Sequence, residues 1–535
     1  MRRARRPQAV RAAADPPARA ASRGWLLAAL MCTMMLAAMD TTIVSTAIPQ
    51  IVDDLGGFAH FSWLFSIYLL AQTVTIPIYG KLADLVGRKP VLIAGTLIFL
   101  AGSAACAASW SMLSLIAFRA LQGVGAGSIM ATVNTLAGDL YPVQRRGVVQ
   151  GWLSSVWGVA AIAGPVLGGA LAEHASWRWI FLINLPIGLL ALVLIGGFLH
   201  ERFERRQPRI DYAGAALVLV AVGALIVGLL QGGQSWPWWS LPSAAVFGVA
   251  ATAALAGVVV EGRAAEPVMP GWLWRDRLLG GCNLAMIGMG LVMMAPSIVL
   301  PTFSQSVQGL DAIGAGLVLA CISIGWPIAS ALSTRAYLRF GYRDAAIGGA
   351  LLILVALPLF HALPAPMPVA ATAAVQVVLG AGFGLLSTPL LVGEQSVVGW
   401  DRRGVVTGAN MFARYLGQSL GAAIVGAIFN AALAARLAAA PAALAERVPQ
   451  QVDAVIATLH APGTEAAVQA LLRAAIDGAT RSVFLAMTLP AIGILLVLLL
   501  IPRRFPTLAE QGDRLAAPQD GGNAASAAAE RLHGG

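Results

Sequence analysis

Charged residues are scarce in this chain: only 11% of its 535 residues are Asp, Glu, Lys or Arg, whereas 58% are hydrophobic. A soluble globular protein carries about 25% charged residues. So few charges could not cover the surface of a soluble domain of this size, and the composition therefore excludes that class. Lipid is the better solvent for most of this polypeptide.

Cysteine is also scarce, and the four cysteines lie far apart in apolar runs without a CxxC spacing: Cys32, Cys106, Cys282 and Cys321. We interpret them as small packing residues rather than as a disulfide framework or a metal site. The sequence lacks a GxxxxGK[ST] phosphate-binding loop, a cluster of metal ligands and a nucleophile elbow. We therefore expect neither an ATP-driven pump nor a membrane-embedded hydrolase, and no enzyme, cofactor or metal.

Basic residues outnumber acidic ones, which gives a formal net charge of +10. They stand in short clusters between long apolar runs, and no Lys/Arg stripe alternates with aromatic residues. This arrangement argues against a nucleic-acid partner. It favours contact with membrane lipids.

Long apolar runs account for most of the chain. A membrane-spanning helix needs about 20 mostly apolar residues, and fourteen runs approach or exceed that length. Their approximate limits are 24–47, 61–79, 90–109, 111–135, 147–172, 176–199, 211–231, 241–260, 278–301, 312–332, 343–361, 368–392, 404–431 and 480–501. The sequence thus predicts an all-α polytopic membrane protein with 14 transmembrane helices.

The charges between the runs test this count, because cytoplasmic loops are enriched in Lys and Arg. Every second connection is basic, beginning with Lys81, Arg88 and Lys89, whereas residues 48–60 and 302–311 contain no Lys or Arg. One missed or invented span would break this alternation. We therefore predict a multi-pass protein of the cytoplasmic (inner) membrane with both termini cytoplasmic. The run from Trp25 is expected to be a retained span and not a cleaved signal peptide.

The spans group into units. We expect a basic cytoplasmic tail at 1–23, a six-helix bundle at 24–199, a linker with two extra helices at 200–277, a second six-helix bundle at 278–501 and a disordered cytoplasmic tail at 502–535. The external loop at 432–479 is Ala-rich. Its apolar spacing indicates one or two surface helices, with disorder as the alternative.

The two halves of the chain repeat each other at an offset of 257 residues. Residues 145–149 read RRGVV, and so do residues 402–406. Glycines on either side keep the same offset: Gly123, Gly125, Gly127, Gly151 and Gly164 match Gly380, Gly382, Gly384, Gly408 and Gly421. The repeat relates the fourth span to the twelfth and the fifth to the thirteenth. Two related bundles that rock about a central site are a common transporter design.

Residues 80–90, GKLADLVGRKP, lie between the second and third spans and resemble the signature loop of the major facilitator superfamily. The resemblance implies a cytoplasmic latch made by Gly80, Asp84, Gly87, Arg88 and Lys89. Asp84 can face the positive N-terminus of a helix in the other half, and the basic pair can reach an acid such as Asp139. The alternative is a basic loop that only sets the topology.

Two other segments extend the resemblance. Residues 119–127, RALQGVGAG, are similar to the family's fourth-span motif, which is linked to proton coupling. The fifth span resembles the antiporter signature, whose residues here are Gly158, Gly164, Pro165, Gly168 and Gly169. The glycines could instead serve general helix packing.

Residues 36–49 and 177–186 resemble the fourteen-span drug:proton antiporter branch, which includes bacterial multidrug and quaternary-ammonium exporters. Ser45 stands where that branch commonly has Asn. The resemblance implies the major facilitator fold, with two extra helices between its bundles. It also implies export in exchange for protons, with the proton gradient as the energy source.

Asp40 is the one carboxylate that we place well inside an apolar run, and Arg119 is the deepest charge of the fourth span. Burial disfavours the charged form of a carboxyl group, while a nearby Arg favours it. We therefore propose Asp40 as a proton-carrying or cation-binding group, and the resemblance implies that Arg119 is a proton-coupling residue as well. The alternatives are a structural Asp bonded to N–H groups and a structural Arg bonded to carbonyls.

Polar side chains within other spans could line a central cavity: Arg414, Gln72, Asn134, Gln376, Asn410 and Gln418. Arg414 could pair with Asp40, bind an anionic group of the substrate, or bond to backbone carbonyls. Glu394 lies near the cytoplasmic end of its span, and a gate or interface charge is its favoured interpretation over a deep proton site.

The sequence as a whole predicts a proton-coupled antiporter that exports lipophilic small molecules by alternating access, with cationic molecules among the candidate substrates. A dedicated exporter of one endogenous lipid, siderophore or antibiotic is an alternative. So is a transporter-like sensor that moves no solute. A periplasmic adaptor protein is left open as a further partner.

Overall fold

A computed structural model describes residues 18–506, apart from 57–59, 62, 202–210, 234–235, 366, 442–443, 445–446, 450–451 and 462–463. The expectations for most of the basic N-terminal tail and for the C-terminal tail beyond residue 506 lie outside the described residues. Within them the chain is helical, and fourteen helices are long and apolar enough to cross a membrane. The predicted all-α fold with fourteen spans is confirmed.

The first six spans are numbered here in chain order. They are Gly24–Thr46, Trp63–Val86, Arg88–Ala107, Met112–Leu140, Val143–Leu171 and Trp179–Phe198. Span 1 is the end of helix Ala18–Ile43 followed by a 3-10 turn, and the helix of span 5 continues to His174. Span 6 is divided into Trp179–Leu182 and Asn184–Phe198. A short amphipathic helix, Ile48–Leu55, follows span 1.

Spans 7 to 14 complete the series. They are Tyr212–Leu229, Leu241–Glu261, Arg277–Ser306, Ala312–Phe340, Tyr342–Ala362, Val369–Val397, Trp400–Ala438 and Ala466–Leu500. The helix of span 7 continues to Gln231, and a short helix at Trp272–Arg275 precedes span 9. Span 10 is divided into Ala312–Ala320 and Ile322–Phe340, and span 14 into Ala466–Ala486 and Thr488–Leu500.

Each half of the chain has its own apolar core. One core is built mainly from spans 1 to 6, and the other from spans 9 to 14. Large apolar side chains such as Leu189, Val193 and Leu489 remain exposed on the outside of the bundles. Lipid accommodates such side chains, so the association of the helices depends on close packing of small residues.

The repeated glycines make equivalent contacts in the two halves. A Cβ atom at Gly123 would lie 2.5 Å from a backbone oxygen of span 2, and one at Gly380 would lie 2.0 Å from a backbone oxygen of span 10. Gly125 and Gly382 approach spans 3 and 11 in the same way. These positions accept only glycine because two helix backbones touch there. The sequence repeat therefore corresponds to a structural repeat.

Two helix pairs join the halves: span 5 packs on span 10, and span 2 packs on span 13. Gly151 lies against Pro327 in the first pair, and its repeat partner Gly408 lies against Ile76 and Gly80 in the second. The inserted spans 7 and 8 pack on each other, and span 7 also contacts spans 2 and 13. The inserted pair thus lies beside one edge of the interface.

The segment predicted as an external loop at 432–479 is shorter than expected. Span 13 continues as a helix to Ala438, and span 14 already begins at Ala466. A further helix, Val452–His460, lies between them. Buried side chains such as Leu437, Val455 and Leu472 form a small core of their own, which explains why the two spans extend beyond the bundle.

Candidate functional site

A cavity of about 250 Å³ lies between the two halves. We call the face that carries the basic loops the cytoplasmic face, as the charge pattern predicts. The cavity reaches from Asn134 and Leu391, near the cytoplasmic ends of their spans, to Thr42, near the outer end of span 1. Ala161 and Ser297 line it in the outer halves of their spans. Most of its wall area is apolar or aromatic, as in most small-molecule sites, and six Ser/Thr hydroxyl groups and three amide side chains also line it.

The cytoplasmic side of this cavity is closed by Asp84. Its carboxylate accepts hydrogen bonds from the backbone N–H groups of Gly404 (2.9 Å) and Val405 (2.8 Å), at the N-terminus of span 13. A carboxylate at a helix N-terminus accepts hydrogen bonds from N–H groups that lack a partner within the helix, and its negative charge interacts favourably with the helix dipole. The contact is possible because Gly80 and Gly404 let the two backbones touch.

Arg88 extends the closure around Asp84. Its guanidinium forms ion pairs with Asp84 (2.8 Å) and Asp139 (2.9 Å), donates to the carbonyl oxygen of Trp400, and stacks on the Trp400 ring. Asp139 also pairs with Arg403 of the second half at 2.5 Å. Two acids of the first half therefore bind the start of span 13, directly and through arginines.

Lys89 makes a different contact from the one expected. Its ammonium group donates to the carbonyl oxygen of Gly196 in span 6, within its own half, because the side chain leaves span 3 on the side away from Asp139. The backbone N–H groups of Arg88 and Lys89 instead donate to Glu201, whose carboxylate caps the N-terminus of span 3. Gly87 precedes this cap with a φ of +106°, a conformation that favours glycine.

Asp40 and Arg119 meet inside the first half. The Arg119 guanidinium donates to Asp40 Oδ2 at 2.5 Å, to Gln122 Oε1 at 2.9 Å and to the carbonyl oxygen of Leu64 at 3.1 Å. Gln122 in turn donates to Asp40 Oδ1 at 2.7 Å. Asp40 and Arg119 are fully buried, and hydrogen bonds satisfy most of their polar atoms, which a buried ion pair requires. Nη2 of Arg119 is the exception in the pair, with no hydrogen-bond partner among the described residues.

Sequence reasoning assigned no role to the outer members of this network. Ser103 accepts hydrogen bonds from Gln122 (3.2 Å) and Asn184 (3.0 Å), and the Tyr68 ring lies 4.3 Å below the Arg119 guanidinium. Gln122 follows Arg119 by three residues, a spacing that puts both on one helix face. In the sequence, this spacing indicated that Gln122 could join Arg119 in one network.

Arg414 does not pair with Asp40, which is occupied by Arg119, so this alternative is wrong. Its side chain lines the cavity, as do Asn134 and Gln418. The other three amide residues proposed for the cavity do not line it. Gln72 donates to the Tyr415 hydroxyl at 3.3 Å, behind the cavity wall, and the Gln376 side chain is buried within the second half.

Asn410 is the third of these amides, and it donates to Glu394 at 2.6 Å. Glu394 is fully buried in the second half and contacts no charged group of the described residues at ion-pair distance. The neighbouring residue, Gln395, makes the interface contact instead, donating to the carbonyl oxygen of Asn134 at 3.1 Å. The rotation of span 12 therefore turns Glu394 away from the interface.

The residues of the antiporter signature differ in their contacts. A Cβ atom would lie 2.1 Å from the Thr42 hydroxyl at Gly164, 2.3 Å from the Thr46 hydroxyl at Gly168, and 3.0 Å from Ser323 at Gly158. Gly169 faces open space, so it has no role in close packing. Pro165 lies within the continuous helix of span 5. Gly164 and Gly168 thus join span 5 to span 1, and Gly158 joins it to span 10 of the second half.

Comparisons with known proteins agree with the fold. The family model described as Major Facilitator Superfamily matches residues 30–422. The multidrug transporter protein MdtP of Bacillus subtilis (strain 168) is 33% identical over 74% of this chain and 73% of its own length. Multidrug resistance protein 3 of the same strain is 35% identical over 61% of this chain and 64% of its own length.

A fungal protein and a solved structure are also similar. The efflux pump FUS6 of Gibberella fujikuroi (strain CBS 195.34 / IMI 58289 / NRRL A-6831) is 32% identical over 75% of this chain and 74% of its own length. The crystal structure of the human organic anion transporter MFSD10 (TETRAN) superposes with a TM-score of 0.58 over 90% of this chain and 100% of that one. At 13% identity, this likeness concerns the fold alone.

Proposed function

Because the chain belongs to the major facilitator superfamily, we propose that it exports lipophilic small molecules across the cytoplasmic membrane in exchange for protons. Relatives named as multidrug transporters and efflux pumps support the export of small molecules. The buried Asp40–Arg119 pair supports the proton exchange, and it is the observation on which the proposal chiefly depends.

Asp40 has the properties of a proton carrier. It is a carboxyl group in an apolar span, and it accepts hydrogen bonds from Arg119 and from the Gln122 amide. A change in the position of span 1 relative to span 4 would weaken those contacts and favour the protonated form. Proton binding and release would then follow the opening and closing of the transporter.

The proton site and the cavity are separate. Asp40 is not part of the cavity wall, whereas Thr42, two residues later, lines it and donates to the carbonyl oxygen of Ala160 in span 5. We therefore propose an indirect exchange: protonation changes the packing of spans 1 and 5, and this packing determines access to the cavity. Substrate and proton need not compete for one group.

The closed cytoplasmic side supports the alternating-access part of the proposal. The contacts of Asp84 with Gly404, and of Asp139 with Arg403, can exist only while the two halves lie together on that side. Rocking of the halves would break them and open the cavity to the cytoplasm. Cytoplasmic termini and a periplasmic adaptor stay predictions.

The test is efflux driven by a proton gradient in reconstituted vesicles, with a panel of acidic, neutral and cationic lipophilic dyes. We expect Asp40→Asn to abolish gradient-driven efflux while dye binding is retained, because Asp40 lies outside the cavity. Asp54→Asn is the matched control, since Asp54 is an exposed carboxylate after span 1. Unchanged gradient-driven efflux in Asp40→Asn would remove Asp40 from the proton role.

A further inference from the structure

The central cavity carries one charge, and that charge is positive. Among the described residues that line it, Arg414 is the one ionisable group that is charged at neutral pH. The rest of the wall consists of apolar and aromatic side chains, hydroxyl groups and amides. The electrostatic preference of the cavity is therefore set by one guanidinium.

Arg414 is half-buried at the cavity wall, and its side chain is incompletely hydrogen-bonded. Its Nε atom is buried without a hydrogen-bond partner in the described part of the protein. Its guanidinium lies 5.2 Å from the ring of Tyr415, another residue of the cavity wall. Buried donors without partners are rare and costly. The surrounding protein therefore leaves the positive charge of Arg414 incompletely compensated, and an oxyanion in the cavity would compensate it.

The protein's own buried acids do not supply that acceptor. Asp40 is bound by Arg119 and Gln122, Glu394 by Asn410, Asp84 by Arg88, and Asp477 by Arg481. None of these four acids lines the cavity. The carbonyl oxygen of Arg414 lies against Gly290 in span 9. This close backbone contact fixes the position of the Arg414 Cα atom, to which the side chain is attached.

We propose that the molecules bound in this cavity are lipophilic anions, namely weak acids whose carboxylate or similar oxyanion binds Arg414. The planar guanidinium matches a carboxylate with two parallel hydrogen bonds. The aromatic rings of Trp157 and Trp326, and adaptable methionines such as Met130 and Met293, contact the apolar body of the ligand. Lipophilic cations, which the sequence left among the candidates, meet a like charge here.

This inference rests on the proposed export function for its biological meaning, but the binding preference can be measured without transport. The probes are three ligands with one skeleton: 1-naphthoate, 1-naphthamide and 1-naphthylmethylammonium. Their dissociation constants are measured by calorimetry on the purified full-length protein in detergent at neutral pH, with protein-free micelles as the blank. We expect 1-naphthoate to bind about tenfold or more tightly than the ammonium probe.

Three variants assign the preference to its residue. Arg414→Gln is expected to weaken the binding of 1-naphthoate about tenfold and to change the dissociation constant of 1-naphthamide by less than about twofold. Arg414→Lys keeps the charge and is expected to retain most of the preference. Arg339→Gln, an exposed arginine on the cytoplasmic face, is the control and should bind all three probes like the wild type.

Tighter binding of the ammonium probe by the wild type would overturn the proposal, as would an equal effect of Arg414→Gln on all three probes. Loss of gradient-driven efflux with a retained preference for 1-naphthoate would count against the proposed transport function alone. The two proposals can therefore fail separately.

Discussion

The carboxylate of Asp84 and the backbone N–H group of Gly404 are joined by a hydrogen bond of 2.9 Å across the two halves of the protein. Asp84 lies in the loop motif of the first half, and Gly404 lies in the repeated RRGVV segment of the second. The two sequence features that stood out therefore meet at one point. This contact closes the cytoplasmic side of the cavity. The strength of the contact affects the equilibrium between the closed and open states.

The first prediction concerns Gly80, which lets this contact form. A Cβ atom at Gly80 would lie 2.6 Å from the carbonyl oxygen of Gly404, and a backbone atom cannot move away cheaply. We expect Gly80→Ala to separate the halves on the cytoplasmic side. Spin labels at Gln144 and Asp401, in a background without the four native cysteines, should show a longer mean distance.

The matched control for Gly80→Ala is Gly196→Ala, because a Cβ atom at Gly196 meets no other atom within 4 Å. This control should give the wild-type distance distribution. If Gly80→Ala also leaves the distribution unchanged, backbone contact at Gly80 does not limit closure, and the latch assignment of this residue is wrong.

The second prediction concerns the stability of the Asp40–Arg119 pair. Removing one partner leaves the other charge buried without compensation, which typically costs about 3–5 kcal/mol. We expect Asp40→Ala and Arg119→Leu each to lower the unfolding temperature, and the double variant to lose clearly less than the sum. The reaction of the buried Cys106 thiol during heating reports unfolding of this half. Additive losses would mean that the two side chains do not interact.

Much of the fold could be predicted from the sequence, because lipid demands long apolar spans and a regular alternation of loop charges. The spans, the repeat and the depth of Asp40 and Arg119 followed from these patterns. The repeated glycines were equally informative, since a position such as Gly123 accepts no side chain where two backbones touch. Each of these features can be found by reading along the chain, without knowing which helices pack together.

Features that depend on helix rotation and on long-range partners could not be predicted. Gln376 and Asn410 are as polar as Asn134, yet only Asn134 faces the cavity. Glu394 faces its own bundle, whereas the adjacent Gln395 faces the other half. In a helix, neighbouring residues point about 100° apart, so an apolar run with scattered polar residues does not reveal which of them meets the substrate.

The third prediction concerns the loop side predicted to face outward, where Asp54 accepts hydrogen bonds from Arg178 (2.6 Å) and Trp177 (3.0 Å). The Arg178 contact lowers the pKa of the Asp54 carboxyl group below its ordinary value, and the Trp177 bond acts in the same direction. A lowered pKa means that the contact stabilises the fold at neutral pH and that this contribution is lost as the pH falls through the lowered value.

We therefore expect Asp54→Asn to be slightly less stable than the wild type at pH 7 and equally stable at about pH 2 to 3. The measurement is the difference in unfolding temperature between the two proteins as a function of pH. The effect should be small, because both side chains are largely exposed to solvent. A difference that stays constant down to the lowest pH would show that the carboxylate charge is not its cause.

The fourth prediction concerns Arg481, a buried arginine of span 14 for which no role was predicted from the sequence. It pairs with Asp477 at 2.8 Å and donates to the carbonyl oxygens of Phe360, His361 and Leu363 (3.2, 3.1 and 2.7 Å). These carbonyls lie at the C-terminal end of span 11, where helical carbonyls lack partners within the helix and where the dipole favours a cation. One guanidinium thus caps one span and fixes it to another.

Arg481→Gln removes this cap and leaves Asp477 buried without its partner, so we expect a loss of about 3–5 kcal/mol. Arg473→Gln on the same helix is the control, because Arg473 is exposed, and surface substitutions usually change stability by less than about 0.5 kcal/mol. Single-cysteine versions that keep only Cys282 or only Cys106 report the unfolding of each half separately, since each thiol is buried in its own bundle. The Cys282 thiol should react at a lower temperature in Arg481→Gln than in the control, and the Cys106 thiol should change less. Equal unfolding temperatures for Arg481→Gln and Arg473→Gln would show that water replaces the cap, and that span 11 is held by apolar packing alone.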